Sequence, residues 1–248
     1  MTEPLDILTF APHPDDAELG CGGSLILAAE SGLRVAVADM SLGESSSRGT
    51  PESRETERTQ ATEVMGLCAR YSLGLPDTEI GVDLSQRIPI IKLIRETRPR
   101  IVLVPYWEDR HPDHTSAGTL LKNAIFFAGV RKVGSGTPHR PEQIYYYSLH
   151  SPFPPSFVIN VSSTWEQKMK AVAAYQSQFQ HNNGDTETAL SSPSFKRTLE
   201  ARAIWFGAMI GVSYGEAFYS PGPVAMDKFP GLNGDPPPPG ELPPYSIY

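Results

Sequence analysis

Two short segments of the sequence are rich in histidine and aspartate. Residues 13–16 read HPDD and residues 110–114 read RHPDH, and together they hold three of the chain's six histidines. Two imidazoles and one carboxylate, with a coordination position left open for water, form a catalytic zinc site. The alternative is that the histidines lie on the surface and the aspartates cap the helices that follow. The residues that could bind a metal or act on a substrate here are His13, Asp15, Asp16, His111, Asp113 and His114.

The elements around these segments predict a parallel sheet. Short apolar runs alternate with segments of helical pattern along the first half of the chain. Such alternation is typical of βαβ units, so we predict a Rossmann-like three-layer α/β sandwich with helices on both faces of a mostly parallel sheet. The predicted strands are 5–11, 34–40, 70–73, 101–106, 144–149 and 157–161. The predicted helices are 19–31, 52–67, 84–97, 113–127, 162–179 and 193–210.

The two histidine-rich segments follow the first and the fourth predicted strands. With the usual strand order 3-2-1-4-5, plus the later strands, these two strands are neighbours in the sheet. Ligands of such sheets bind in the crevice outside the carboxyl ends of the strands, where the strand order reverses. We therefore expect residues 13–16 and 110–114 to face each other across one crevice, although they are far apart in the sequence.

Composition and charge exclude several kinds of protein. The 248 residues carry a formal net charge of −7, which argues against binding to nucleic acid or to an anionic membrane. The spacing of Gly20, Gly22 and Gly23 does not match the dinucleotide-binding motif, and the neighbouring aspartates would repel a pyrophosphate. Two cysteines and the lack of a long apolar run predict a cytoplasmic protein without a transmembrane helix.

Proline marks a change in the sequence near the C-terminus. Nine of the 24 prolines lie within residues 220–248, and four of them are consecutive at residues 236–239. Such a composition favours the polyproline II conformation over helix or strand. We therefore expect one globular domain at residues 1–219, followed by a proline-rich extension at residues 220–248.

Residues 11–18 (APHPDDAE) and 111–114 (HPDH) resemble the LmbE-like, or PIG-L, family of zinc-dependent N-acetylglucosaminyl deacetylases. The resemblance extends over residues 5–219. Four further segments are similar to the branch that deacetylates N-acetylglucosaminyl-malate in bacillithiol biosynthesis: residues 105–114, 126–132, 138–140 and 175–179. The resemblance implies a metal-dependent hydrolase that removes the N-acetyl group from an N-acetylglucosamine conjugate, which is N-acetylglucosaminyl-L-malate in this branch. It also implies a homo-oligomer, a hexamer in many relatives.

The resemblance implies a metal site and a general base. His13, Asp16 and His114 match the ligands of a zinc ion, and the same donor set also accepts Fe²⁺ or another divalent metal. Asp15 matches the general base that takes a proton from the attacking water. The catalytic base is therefore expected directly beside a metal ligand.

The resemblance also implies roles for the second motif and for three arginines. His111 matches an imidazole that stabilises charge or protonates the leaving amine, and Asp113 matches the residue that orients it. The arginines that line the sugar site in the family correspond here to Arg54, Arg110 and Arg140. Bidentate guanidinium donors suit a carboxylate such as that of malate. The alternative for Arg54 is an ion pair with Glu57, three residues further along the same predicted helix.

One residue departs from the malate-conjugate branch. Relatives there carry a tyrosine on the late helix that is thought to bind the oxyanion, and alignment places Phe195 at or next to that position. Phenylalanine cannot donate a hydrogen bond. Two alternatives therefore stay open: a deacetylase of another amino-sugar conjugate (a glycolipid, a mycothiol-type precursor or an antibiotic precursor), and a metal-dependent sugar-binding protein without turnover.

Overall fold

The computed structural model describes residues 3–180 and 188–226 of the chain. Within these residues the chain forms seven strands and seven helices. The strands are β1 (Ile7–Ala11), β2 (Val35–Asp39), β3 (Ala69–Ser72), β4 (Ile101–Pro105), β5 (Gln143–Tyr147), β6 (Phe157–Asn160) and β7 (Gly215–Tyr219). The helices are α1 (Asp16–Glu30), α2 (Pro51–Met65), α3 (Leu84–Thr97), α4 (Pro112–Ala128), α5 (Trp165–Ala174), α6 (Gln176–Phe179) and α7 (Pro193–Met209).

These seven strands form one sheet of order β3-β2-β1-β4-β5-β7-β6. Strands β1 to β5 pair in parallel, whereas β7 runs antiparallel to both β5 and β6. The predicted α/β fold and its order 3-2-1-4-5 are confirmed. Because β1 and β4 are parallel neighbours, their carboxyl ends lie side by side and place the two histidine-rich segments at the same edge of the sheet.

Successive residues of the central strands pack against opposite layers of helices. Leu8 and Phe10 of β1 lie in the apolar core that also contains residues of α3 and α4. Ala11 of the same strand lies in a second core with residues of α1, α5 and α7. This alternation follows from the strand period of two, and it produces the three-layer sandwich that holds the strand ends in fixed positions.

Strand β7 is absent from the prediction. It lies between β5 and β6, with Phe218 in register with both Tyr147 and Phe157. Its sequence, GEAFY, has a glutamate near its start, which sequence rules treat as an exposed position. In the fold, Glu216 is buried and forms an ion pair. The strand was not predicted because a charged residue normally indicates an exposed position.

The predicted helix over residues 162–179 is two helices. Helix α5 ends before Tyr175, whose backbone angles of φ −80° and ψ 64° do not continue it, and α6 follows. The Tyr175 side chain is fully buried, and its hydroxyl donates a hydrogen bond to Glu18 over 3.1 Å. We attribute the break to this buried tyrosine, since a hydrogen bond to a carboxylate in the interior stabilises the bent path.

A buried ion pair links β7 to α1 and α5. The Lys168 Nζ lies 2.6 Å from Oε1 of Glu216, and both side chains are almost completely buried. The two carboxylate oxygens also accept hydrogen bonds from the main-chain N–H groups of Gly23 (2.9 Å) and Ser24 (2.7 Å). Every charge in this cluster is thereby matched, which is the condition under which buried charges are tolerated.

Replacement of Glu216 by alanine is therefore expected to lower the free energy of unfolding by about 3–5 kcal/mol, because Lys168 would stay buried without its partner. Urea denaturation measures the change. Lys92→Ala is the matched control: it breaks an exposed pair with Glu96 at 3.8 Å and is expected to cost less than about 0.5 kcal/mol. If the two variants have the same stability, the Lys168–Glu216 pair does not act as described.

The described helices include none that is both long and apolar enough to span a bilayer. Strand β7 ends at Tyr219, directly before the predicted proline-rich extension. Of that extension, residues 220–226 are described and residues 227–248 lie outside the described part of the chain.

Candidate metal centre and adjoining cavity

The two histidine-rich segments meet at the carboxyl ends of β1 and β4. The Asp16 Oδ2 lies 3.1 Å from Nδ1 of His13 and 3.2 Å from Nε2 of His114. One ligand atom from each of the three residues lies within 4.8 Å of the others, so the three could hold one metal ion. The structure thus brings together the three residues that the sequence indicates as metal ligands.

The turn after β1 positions Asp15 and Asp16 differently. The N–H of His13 donates to Asp16 Oδ2 over 2.9 Å, which fixes the Asp16 carboxylate against the histidine. Asp15 adopts the left-handed conformation (φ 104°, ψ −24°), which is rare for residues other than glycine. Helix α1 then begins at Asp16, three residues before the predicted start. Such strain persists where the surrounding contacts enforce it, often at a functional site.

Outer carboxylates hold the two histidine rings. The His13 Nε2 lies 3.1 Å from Asp113 Oδ2 and 3.2 Å from Asp77 Oδ1, and the His114 Nδ1 lies 3.1 Å from Asp109 Oδ1. Carboxylates in these places orient metal-binding imidazoles and increase their basicity. They leave Nδ1 of His13 and Nε2 of His114 facing Asp16.

Asp77 and Asp109 are site residues that the sequence analysis missed. Asp109 directly precedes the RHPDH segment at residues 110–114. It lies within a segment that resembles the malate-conjugate branch, and this resemblance could have indicated it as a site residue. Asp77 follows β3, and nothing in its local sequence distinguishes it from an ordinary loop aspartate. Its place beside His13 arises only from the packing of three separate loops.

His111 is oriented by the main chain of α4. It is the N-cap residue of that helix, and its Nδ1 accepts a hydrogen bond from the N–H of Asp113 over 3.2 Å. The Asp113 carboxylate instead contacts His13 and accepts a hydrogen bond from the N–H of Thr78 over 2.9 Å. His111 and Asp113 are therefore in contact through the backbone N–H of Asp113, and the Asp113 carboxylate contacts the predicted metal ligand His13.

Asp15 and Asp16 are adjacent in the sequence, but their surroundings shift their pKa values in opposite directions. Burial raises the pKa of Asp15 well above its ordinary value, although the charge of Arg54 opposes the change. Burial disfavours charge on Asp16 as well, but the charge and hydrogen bond of His114 outweigh it and hold the pKa of Asp16 well below its ordinary value. Burial and the charge of His114 lower the pKa of His111. Asp16 is thus a ready anionic ligand, whereas Asp15 readily holds a proton.

Arg54 lies in the site and not in an ion pair of its own helix. It is 5% exposed, and its Nη2 donates to the carbonyl oxygen of Pro14 over 2.8 Å. Among the described residues its Nε has no hydrogen-bond partner. Glu57 instead accepts hydrogen bonds from the N–H (2.6 Å) and the hydroxyl of Ser177 (2.7 Å). The Arg54–Glu57 ion pair considered from the sequence is not formed.

A pocket of about 230 Å³ opens at the predicted ligands and contains Asp15, Arg54 and His111 in its lining. A second cavity, of about 630 Å³, adjoins it, and both are lined in part by Leu19 and His150. Arg110 and Phe195 line this second cavity, which we call the adjoining cavity. The Phe195 ring packs against Phe179 at a centroid distance of 5.8 Å. Phe195 is therefore an apolar wall of the adjoining cavity.

Within one chain, the structure does not bring Arg140 to the other predicted site residues. Its guanidinium lies 5.8 Å from the ring of Phe126 and packs against Gly129, at the C-terminal end of α4. His114 lies in the first turn of α4, so about 18 Å of helix separates it from Phe126 at the usual rise per residue. The two family-like segments at residues 105–114 and 138–140 therefore lie at opposite ends of α4.

The fold and the site together define an α/β protein with a two-histidine, one-aspartate centre at the carboxyl ends of adjacent parallel strands. A family model described as GlcNAc-PI de-N-acetylase (PIG-L) matches residues 8–125. The diacetylchitobiose deacetylase of Thermococcus kodakarensis is 31% identical over 226 residues, covering 85% of this chain and 80% of that protein. The chain therefore belongs to the PIG-L family, as its motifs indicate.

Two further proteins extend the comparison. The probable N-acetyl-alpha-D-glucosaminyl L-malate deacetylase 2 of Bacillus cereus is 27% identical over 206 residues, covering 75% of this chain and 89% of that protein. The crystal structure of the conserved protein TT1542 from Thermus thermophilus is 40% identical, with a TM-score of 0.84, and the match covers 91% of this chain and 98% of that one. The family resemblance therefore extends beyond the residues that the family model matches.

Proposed function

We propose that this chain is a zinc-dependent N-deacetylase that hydrolyses the acetamido group of an N-acetylglucosamine conjugate, N-acetylglucosaminyl-L-malate first among them. The observation that carries the proposal is the position of Asp15, a buried carboxyl group directly beside the His13, Asp16 and His114 cluster and in the same pocket as His111. A metal-binding structural site needs no such extra carboxyl group. A metal-dependent hydrolase can use one as its general base.

The donor set fits a zinc ion. His13, Asp16 and His114 would supply two imidazole nitrogens and one carboxylate oxygen, and Asp113, Asp77 and Asp109 hold the far sides of the two rings. Zinc bound there would acidify a water molecule and polarise the amide carbonyl. The same ligands accept Fe²⁺ or another divalent metal.

Asp15 is suited to both proton transfers of amide hydrolysis. Burial raises the proton affinity of Asp15, so its ionised carboxylate would be able to accept a proton from the attacking water and retain it. The leaving nitrogen needs a proton before the C–N bond breaks, and Asp15 can return the one that it received. Base and acid are then the same carboxyl group acting in sequence.

His111 is suited to donate a hydrogen bond and not to carry the proton. Because its Nδ1 accepts the Asp113 N–H, the proton of the neutral ring is at Nε2. Burial disfavours a second proton on this ring, and the charge of His114 and the N-terminus of α4 act in the same direction. We therefore assign His111 to hydrogen bonding with the oxygen on which negative charge develops, a role that does not require the tyrosine expected at or next to residue 195.

Arg54 and Arg110 would bind the substrate from two sides. Arg54 lines the pocket beside Asp15, and Arg110 lines the adjoining cavity. Guanidinium groups bind sugar hydroxyls and carboxylates, so the pair suits a glycoside of malate.

We also propose a cytoplasmic homo-oligomer, hexameric as in many relatives. The exposed side chains of Phe126 and Trp205 support an interface between subunits, and light scattering of the purified protein tests the subunit number.

Asp109→Asn is expected to weaken zinc binding about 10- to 100-fold, because the amide is a weaker acceptor for Nδ1 of His114. Competition with a chelator of known affinity measures the change. Asp83→Asn, an exposed aspartate, is the matched control and leaves the affinity unchanged. An unchanged affinity of Asp109→Asn would remove this residue from the centre.

A panel of N-acetylated substrates tests the proposed function. We expect the zinc-loaded protein to release acetate from N-acetylglucosaminyl-L-malate. Diacetylchitobiose belongs in the panel because a 31% identical relative carries that substrate in its name. Release from another conjugate but not from the malate glycoside would support the wider class and reject malate. Binding of intact substrate without any acetate would instead indicate a sugar-binding protein.

A further inference from the structure

The adjoining cavity has one wall made by a single face of α7. Phe195, Thr198, Leu199 and Arg202 all line it, and their spacing of three and four residues places them on the same side of the helix. The catalytic pocket alone, at about 230 Å³, is smaller than the roughly 300–1,000 Å³ of pockets that hold complete small ligands. A substrate that reacts at Asp15 would therefore extend into the adjoining cavity.

Arg202 faces this cavity without a carboxylate partner among the described residues. Its one hydrogen bond there is a weak one, from Nη2 to the carbonyl oxygen of Leu19 over 3.4 Å. Burial lowers the pKa of Arg202 to about 10, so the guanidinium still carries its charge at neutral pH. Arg202 is half-buried, and a partly desolvated cation without an anionic partner is costly, so an anionic ligand would stabilise it here.

The two carboxylates whose charges act on Arg202 are already engaged. Glu216 is held by Lys168, Gly23 and Ser24. Asp109 lies against the ring of His114 and accepts hydrogen bonds from the N–H groups of His111 and His150. Neither carboxylate forms an ion pair with Arg202, so its charge is available to the cavity.

Arg110 is a second cation in the lining of the cavity. It lies in the loop between β4 and α4, it is exposed, and it forms no ion pair with any residue in the described ranges. Ser192, Ser194 and Thr198 add hydroxyl groups to the same lining. Two guanidinium groups with hydroxyls around them match an anionic group and give a neutral sugar no comparable partner.

We propose that Arg202, together with Arg110, binds an anionic group, a carboxylate or a phosphate, on the part of the substrate attached to the amino sugar. Arg202 is thereby the residue that makes the enzyme prefer anionic conjugates over neutral ones. This inference rests on the proposed deacetylase function and adds to it the charge of the second half of the substrate.

The test compares three substrates in the wild type and in Arg202→Met. N-acetylglucosaminyl-L-malate carries carboxylates, N-acetylglucosamine 1-phosphate carries a phosphate, and diacetylchitobiose is neutral. We expect Arg202→Met to lower kcat/KM for the preferred anionic substrate by about 10- to 100-fold, as for other charged hydrogen bonds, and to change the value for diacetylchitobiose less than about threefold. The more strongly affected of the two anionic substrates identifies the anion.

Two further variants separate recognition from folding. Arg202→Lys keeps the charge but not the bidentate geometry, so it is expected to recover part of the loss. Arg197→Met removes an exposed arginine from the same helix and is expected to behave as the wild type. Equal losses on neutral and anionic substrates, or a wild type without preference for an anion, would overturn the proposal.

A binding measurement distinguishes this inference from the function on which it rests. Calorimetry of N-acetylglucosaminyl-L-malate on the zinc-loaded protein is expected to show binding that Arg202→Met weakens about 10-fold or more. Acetate release with equal binding to wild type and variant would reject the role of Arg202 and keep the deacetylase. Binding that depends on Arg202, without acetate from any substrate, would keep the anion site and reject the deacetylase.

Discussion

Asp15→Asn is expected to lower kcat by about 10²–10⁴, the usual contribution of a general base, with zinc content unchanged. Asparagine has the same shape as aspartate but cannot accept the proton of the attacking water. Asp15 lines the pocket at the proposed ligands, and among the described residues it belongs to none of the histidine and aspartate groups whose atoms lie close enough to share a metal ion. The substitution would therefore remove the proposed base and leave the proposed metal ligands in place.

Two measurements make this prediction specific. Metal analysis of the purified variant is expected to give the same zinc content as the wild type, and the acetate assay is expected to show the loss in kcat. The left-handed conformation at residue 15 is no obstacle, because asparagine tolerates it as well as aspartate does. Turnover within about threefold of the wild type, far less than a general base contributes, would show that another group is the base.

Asp16→Asn, at the adjacent position, is expected to abolish both zinc retention and turnover. The Asp16 carboxylate lies between Nδ1 of His13 and Nε2 of His114 and supplies the anionic ligand of the set. An amide oxygen carries no charge and binds zinc far more weakly than a carboxylate does. We expect most of the zinc to be lost on dialysis, and acetate release below detection.

The two variants form a matched pair of isosteric substitutions at neighbouring residues. Both are expected to lose activity, but Asp15→Asn is expected to keep its zinc and Asp16→Asn to lose it. Circular dichroism checks that both remain folded, and excess zinc in the assay is expected to restore part of the Asp16→Asn activity but none of that of Asp15→Asn. If Asp16→Asn retains full zinc, the assignment of ligand and base at residues 15 and 16 is reversed or wrong.

The sequence allowed prediction of the central part of the fold and of the meeting of its two motifs. The strand order 3-2-1-4-5 follows from short connections and alternating elements, and it brings His13 and His114 to one edge. The antiparallel strand β7 could not be predicted, because the charge of Glu216 marks it as a surface segment. Only the long-range contact with Lys168 makes burial of that charge tolerable.

The contacts between the outer carboxylates and the histidine rings could not be predicted from the sequence either. Asp77 reaches His13 from the loop after β3, and Asp113 contacts the same ring in place of His111. These contacts depend on side-chain directions, which motif spacing does not specify. The sequence analysis gave Arg202 no role, and its importance appears when the carboxylates around it are seen to be engaged elsewhere.

The most direct test of the proposed function is the release of acetate from N-acetylglucosaminyl-L-malate before and after removal of the metal. We expect acetate and free amine in equal amounts from the zinc-loaded protein, loss of both after chelation, and recovery when zinc is added. Zinc-loaded, folded protein that releases no acetate from any N-acetylglucosamine conjugate would contradict it. Acetate release that is indifferent to chelation, with the metal shown to be absent, would contradict it equally.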